Sequence, residues 1–209
     1  MSTSQKEQLE ALSEIRNLME RSTRFISLSG LSGVFAGIYA LIGAGVANWH
    51  LNEHVNTVGF RSWRSAEQVS LYGFLIADAA LVFTLTLLTA IYFTQKKAKK
   101  EGLSIFDKSA LRVAAHLFFP VAVGGAFCIA LLEYGLYGLI APSMLVFYGL
   151  GLVNASKYTF ESARYLGVAE VALGLISAFV VGYGLFFWSI GFGIFHIVYG
   201  VYMYLEYER

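Results

Sequence analysis

The chain has 209 residues, of which 57% are hydrophobic and 14% are charged, and its formal net charge is +1. Soluble domains are roughly a quarter charged, so this composition excludes an ordinary water-soluble fold. The small net charge argues against nucleic acid as a partner, and a single cysteine, Cys128, excludes an intrachain disulfide.

Residues 1–24 have the pattern of an amphipathic helix and lack that of a cleavable signal peptide. Ser4 and Glu7 fit a capping box, and apolar residues recur at helical spacing at Leu9, Leu12, Ile15, Leu18 and Met19. We expect a cytoplasmic or interfacial helix. It either contacts a partner or the membrane surface, or packs against the rest of its own chain.

Residues 25–209 contain six apolar segments of about the 20 residues needed to cross the hydrocarbon core. The predicted fold is therefore all-α, an integral membrane bundle of six transmembrane helices. Very short links join the third span to the fourth and the fifth to the sixth, so these pairs are predicted antiparallel hairpins. The predicted spans are Phe25–Trp49, Leu71–Gln95, Ala110–Glu133, Leu136–Ser156, Tyr165–Tyr183 and Leu185–Leu205.

The basic residues predict the orientation. With the N-terminus in the cytoplasm, thirteen of the fifteen Lys and Arg residues fall on the cytoplasmic side, and only Arg61 and Arg64 fall outside. An even number of spans then places both termini in the cytoplasm. Four lysines after the second span either attract anionic lipid headgroups or only set the topology: Lys96, Lys97, Lys99 and Lys100.

Glycines in the first span predict close helix packing. Gly33 and Gly37 form a GxxxG pair, and Gly30 lies one turn earlier. Small residues at such spacing let the backbones of membrane helices approach each other. The glycine-rich faces are also candidate contacts for a homodimer.

Four ionisable residues lie inside the predicted spans: Asp78, His116, Glu170 and His196. A charge at the bilayer centre costs at least roughly 2.5–3.5 kcal/mol, so such side chains normally face the bundle interior and have partners. At a rise of about 1.5 Å per residue, His116, Glu170 and His196 fall in one layer on the cytoplasmic side. Asp78 falls separately, nearer the outer face.

Glu170 and His196 are one short hairpin apart and can share a proton. Such a pair titrates as a unit, near the pH at which an imidazole changes charge. This favours a proton relay or a solute-binding site. The alternative is an interhelical hydrogen bond that only fixes the register of the bundle, a role in which such bonds contribute about 0.6 kcal/mol.

Metal binding has weak support in the sequence. His116, Glu170 and His196 match a set of two histidines and one carboxylate, but no closely spaced motif accompanies them. Outside the membrane, His50 and His54 are four residues apart and could hold a divalent cation on a helix. Two ligands are too few, and a solvated loop is the alternative. Neither a metal nor a cofactor is therefore predicted.

Three runs resemble a group of uncharacterised bacterial multi-span inner-membrane proteins. They are IRNLMERSTRFISLSGLSGVFAGIYAL at Ile15–Leu41, FYGLGLVNASKYTFESARYLG at Phe147–Gly167, and FWSIGFGIFHIVYGVYMYLEYER at Phe187–Arg209. The resemblance implies a location in the bacterial inner membrane. It implies no activity and no site residues.

The sequence leaves three classes of function open. The first is binding or transport of a proton, an ion or a small solute through the polar intramembrane residues. The second is a membrane sensor or scaffold that acts through its N-terminal helix and basic loop. The third is an intramembrane enzyme: GLSG with Ser32, Trp63–Arg64 and a histidine in the sixth span resemble features of rhomboid proteases. The serine motif of that family belongs to its fourth span, whereas Ser32 lies in the first.

Overall fold

Six long helices make up the part of the chain that the structure describes. A computed structural model describes residues 29–58, 65–100 and 108–209, with side chains given for 29–53, 71–100 and 108–209. The helices are α1 (Gly30–Val58), α2 (Ser65–Lys100), α3 (Lys108–Glu133), α4 (Ile140–Ala155), α5 (Ser162–Phe179) and α6 (Gly184–Tyr207). A 3₁₀ turn precedes α4 at Tyr137–Leu139, and another follows it at Ser156–Tyr158.

All six predicted spans are confirmed as helices long and apolar enough to cross a membrane. The chain is therefore an all-α, multi-span membrane protein. The bounds differ from the prediction by several residues in places: α1 continues beyond Trp49 to Val58, α2 covers Ser65–Lys100, and α5 covers Ser162–Phe179. The predicted amphipathic helix over 1–24 lies outside the described residues.

The two predicted hairpins are confirmed, and each turns at a glycine. Gly135, between α3 and α4, has φ 69°, and Gly182, between α5 and α6, has φ 92°. Residues with a Cβ atom rarely adopt such angles. The short links therefore reverse the chain within a few residues, and this keeps α3 beside α4 and α5 beside α6.

Close glycine contacts hold α1 against α6. A Cβ atom on Gly33 would lie 3.1 Å from the Cα of Gly200, and one on Gly30 would lie 2.5 Å from the carbonyl oxygen of Gly200. The predicted packing role of the α1 glycines is confirmed, and the partner is α6 of the same chain. This face is consequently not open to a second copy.

The α4–α5 pair is equally tight. A Cβ atom on Gly149 would lie 2.6 Å from the carbonyl oxygen of Gly167, and one on Gly167 would lie 2.7 Å from that of Gly149. The reciprocal contact brings the backbones of the two helices together. It also fixes which residues of α5 face the protein interior, including Glu170.

The remaining helices flank this core. α2 packs against α1, and α3 packs against α4. Large apolar side chains on their other faces are exposed, among them Leu81, Leu88 and Phe119. In a chain with six spanning helices, these side chains are the surface that contacts lipid.

Basic residues gather at one end of the bundle. Lys97 near the end of α2 forms a 3.6 Å ion pair with Glu208 and lies over the ring of Phe160, between α4 and α5. The antiparallel helices place every described Lys and Arg at this end, which we call the basic end: Lys96, Lys97, Lys99, Lys100, Lys108, Arg112, Lys157, Arg164 and Arg209.

Candidate functional site

Glu170 is the most deeply buried ionisable residue in the described part of the chain. Its relative exposure is 0%, and neither carboxylate oxygen has a hydrogen-bond partner among the described residues. It sits on the face of α5 that meets α4 and α6. Two glycines make room for it, since a Cβ atom on Gly149 would lie 2.9 Å from the Cβ of Glu170 and one on Gly191 would collide with its Oε2.

His196 lies beside Glu170, as the sequence predicts. Its Nδ1 is 3.5 Å from Oε1 of Glu170 and 3.0 Å from the carbonyl oxygen of Gly191. Its Nε2 is 2.7 Å from the hydroxyl of Tyr148. The imidazole therefore connects α6 to both helices of the α4–α5 pair.

These contacts define the tautomer of a neutral His196. A carbonyl oxygen can only accept, so Nδ1 carries the hydrogen that it donates to Gly191. Nε2 is then the acceptor, and Tyr148 donates its hydroxyl hydrogen to it. The Nδ1 hydrogen is also the one nearest Glu170. We call Glu170, His196 and Tyr148 the acid–imidazole site.

A π-helical segment, Ser189–Phe195, interrupts α6 next to this site. The backbone N–H of His196 bonds to the carbonyl oxygen of Gly193, while the carbonyl oxygen of Gly191 accepts from the His196 side chain. Single π-helical turns inside α-helices often accompany functional sites. Here the segment aims the imidazole along its own helix, towards Glu170.

Two members of this arrangement were not predicted from the sequence. Tyr148 lies in an apolar run that also contains Phe147, and nothing in its spacing distinguishes it from a core aromatic residue. Gly191 resembles the other glycines of α6. The available signal was that a buried tyrosine hydroxyl usually needs a partner.

His116 takes part in a separate polar contact. Asn154 on α4 approaches Nδ1 of His116 at 3.2 Å and donates to its backbone carbonyl at 3.3 Å. The ring stacks on Tyr158 with centroids 4.5 Å apart. The described residues show no hydrogen bond or ion pair from His116 to Glu170 or His196, so the predicted layer contains two residues in contact rather than three.

Asp78 stands apart from the acid–imidazole site. It is half-buried on α2, where its Oδ2 would be 3.3 Å from a Cβ atom on Gly43 of α1. This places it at the contact between the first two helices. No described hydrogen bond or ion pair links Asp78 to Glu170 or His196, so its place among the predicted site residues stays a prediction.

The weak metal-ligand candidates form no metal site within the described part of the chain. His50 lies on α1, not in a loop, and its ring stacks on Phe74 with centroids 3.9 Å apart. The side chain of His54 lies outside the described ones. Across ranges 29–53, 71–100 and 108–209, no three His, Cys, Asp or Glu side chains form a group that could hold a metal.

The four lysines after the second span divide into two kinds. Lys97 pairs with Glu208 inside the chain, whereas Lys96, Lys99 and Lys100 are exposed. Glu208 also accepts from the backbone N–H of Gly30 at 2.6 Å. Its negative charge therefore caps the N-terminus of α1, and Lys97 is not free for a lipid headgroup.

Comparison with known proteins adds no family to this description. No protein-family model, no curated protein and no solved structure matches the chain. The resemblance to bacterial inner-membrane proteins, drawn from three sequence runs, stays a prediction. What is established is a multi-span membrane protein with transmembrane α-helices.

Proposed function

We propose that the chain is a bacterial inner-membrane protein that binds and relays protons through the acid–imidazole site. One observation supports this above all: the Glu170 carboxyl group is fully buried, and neither of its oxygens has a hydrogen-bond partner among the described residues. An unpaired carboxylate is too costly in such surroundings. The group is expected to hold a proton or to receive one from a neighbour, and His196 is that neighbour.

Close packing favours a proton over a solute as the species bound. Gly191 lies against Oε2 of Glu170, and a Cβ atom there would also lie 2.5 Å from Cδ2 of Leu145. The carboxyl group and the Leu145 side chain thus both lie close to the backbone of Gly191. A proton needs no additional volume, whereas a solute would require these helices to separate.

The hydrogen bonds suggest an order of proton transfer. The Nδ1 hydrogen of His196 passes to Oε1 of Glu170, across the 3.5 Å gap between them. Nε2 takes the hydroxyl hydrogen of Tyr148, which is 2.7 Å away, while the tyrosine oxygen receives a replacement hydrogen from its other side. Glu170 then holds the transferred proton, and His196 is left as its Nε2–H tautomer. After Glu170 passes its proton on, proton exchange with water removes the hydrogen from Nε2 and returns one to Nδ1, which restores the starting state.

Ser177 supports a continuation of the path along α5. Its hydroxyl is buried and has no hydrogen-bond partner within the described part of the chain. It follows Glu170 by seven residues, so it lies on the same helix face about 10 Å further from the basic end. A chain of several water molecules between these polar groups would carry a proton from one to the other.

We also propose that the basic end faces the cytoplasm, so that the C-terminus is cytoplasmic. The gathering of all described Lys and Arg at that end supports this. A green fluorescent protein fused after Arg209 should fluoresce in bacterial cells, and alkaline phosphatase fused there should be inactive. An active phosphatase fusion would show that the basic end faces away from the cytoplasm and would refute the proposed orientation.

The relay is tested by proton flux in liposomes. The purified protein is reconstituted with a pH-sensitive dye inside, and a pH step is applied outside. We expect flux above that of empty liposomes, and we expect Glu170→Gln to abolish it. Glu133→Gln is the matched control, because Glu133 is an exposed carboxylate at the far end of α3, and its flux should equal that of the wild type.

A second variant separates a relay from a structural bond. Tyr148→Phe removes one hydroxyl, so the variant should still elute as a monodisperse peak while its proton flux falls at least tenfold. Wild-type flux no higher than that of empty liposomes would refute the proposal. So would full flux in folded Glu170→Gln protein, and the contact would then only fix the helix register.

A further inference from the structure

A pocket of about 390 Å³ lies where α4 passes into α5, at the basic end and away from the acid–imidazole site. Its lining comprises Val153, Ser156, Lys157, Glu161 and Arg164. Two of these are cations and one is an anion, so the pocket has a formal charge of +1. That charge complements the single negative charge of a phosphodiester.

The two cations are available to a ligand. Lys157 and Arg164 are both exposed, and the described residues show no ion pair between either of them and another side chain. The hydroxyl of Ser156 is already used, because it donates to the carbonyl oxygen of Val153 at 2.8 Å. Recognition therefore depends on Lys157 as a point charge and on Arg164, whose planar group can bind two phosphate oxygens at once.

Exposed apolar side chains follow the pocket along both helices of the α4–α5 pair. Val168 follows Arg164 by one helical turn and is exposed, and Leu175 follows on the same face. On α4, exposed Leu150 lies two turns before Lys157. A positively charged pocket is thus continuous with an apolar strip that points into the membrane.

We infer that this pocket binds the headgroup of an anionic phospholipid, such as phosphatidylglycerol. The phosphate lies between Lys157 and Arg164, and one acyl chain lies along the strip formed by Leu150, Val168 and Leu175. Glu161 accepts a hydrogen bond from a headgroup hydroxyl. Basic pockets between membrane helices are known to hold anionic headgroups, and a soluble phosphate would leave the apolar strip unused.

Lipid retention by the purified protein tests this inference. Native mass spectrometry counts the lipid molecules bound after phosphatidylglycerol or phosphatidylcholine is added to the detergent. We expect the wild type to retain phosphatidylglycerol selectively. The K157Q/R164Q variant should bind it about 30-fold more weakly, because each near-surface charge contributes about 1 kcal/mol. If that variant does not fold, Lys157→Gln alone should weaken retention about fivefold.

The control removes the same charge elsewhere at the basic end. Lys99 and Lys100 are exposed, and K99Q/K100Q should retain the lipid as the wild type does. Equal losses in the two double variants would overturn the inference in favour of diffuse surface charge. Displacement of the lipid by millimolar inorganic phosphate would overturn it in favour of a soluble phosphate site.

Discussion

Gly124 and Gly125 are neighbours on α3 whose surroundings are opposite. A Cβ atom on Gly124 would collide with the Cβ of Phe147 and lie 2.6 Å from its Cγ, whereas one on Gly125 would have nothing within 4 Å. The nearest of these atoms is Cβ of Phe147, which a rotation about χ1 does not move, so a change of rotamer leaves that collision in place. Alanine at the two positions should therefore affect stability in opposite directions.

The magnitude follows from two terms. Replacing glycine by alanine in a helix gains roughly 0.5–1 kcal/mol at either position. Overpacking costs about 1–3 kcal/mol, and it applies to Gly124→Ala alone. The two variants should then differ by about 1–3 kcal/mol in the free energy of unfolding. At about 2–4 °C per kcal/mol for a chain of this size, Gly124→Ala should melt roughly 2–12 °C below Gly125→Ala.

The assay is thermal unfolding of both variants in the same detergent. Tryptophan fluorescence and the monodisperse fraction on size-exclusion chromatography measure the extent of unfolding. Both variants lie on one helix and add the same methyl group, so differences in propensity cancel. Equal melting temperatures would contradict the α3–α4 packing at Phe147. A lower melting temperature for Gly125→Ala would contradict the assignment of the lipid-facing side of α3.

Three further variants test other contacts. Gly200→Ala should lower the melting temperature, since its Cβ would lie 2.6 Å from the carbonyl oxygen of Gly30 and force α1 away from α6; unchanged unfolding would argue against that contact. Glu208→Gln should destabilise by about 0.3–1 kcal/mol at low salt, and by less at high salt, because it removes the charge at the N-terminus of α1. A salt-independent effect would exclude the electrostatic explanation. Asn154→Ala should cost about 0.5–1.5 kcal/mol by removing the bonds to His116, and it should leave proton flux unchanged if the two polar contacts are independent.

The sequence correctly predicts how deep a residue lies in the membrane. It does not predict the direction in which the side chain faces around the helix axis. Apolar length alone located all six spans. The depths of Glu170 and His196, together with the short link between α5 and α6, correctly indicated that these residues meet. Both inferences use only the position of a residue within its apolar segment, and hydropathy gives the ends of that segment directly.

The partners of His116 show where such reasoning ends. Its depth matched that of Glu170, yet α3 presents it to Asn154. Which way a helix faces depends on backbone contacts such as the one at Gly151, where a Cβ atom would lie 2.8 Å from the carbonyl oxygen of Leu117. Such contacts join residues far apart in sequence and leave no periodic signal. The same holds for Tyr148, whose role depends on how α4 is turned relative to α6.

The pairing of the first helix with the last has a consequence for biogenesis. A ribosome delivers α1 to the membrane long before α6 exists, so Gly30 and Gly33 meet only lipid during most of translation. Gly200 and Glu208 are made only after helices α2 to α5, and they then cover that surface. Docking of the sixth helix thus completes the packing of α1, and chains that lack it would present an uncovered α1 surface to the quality-control proteases of the membrane.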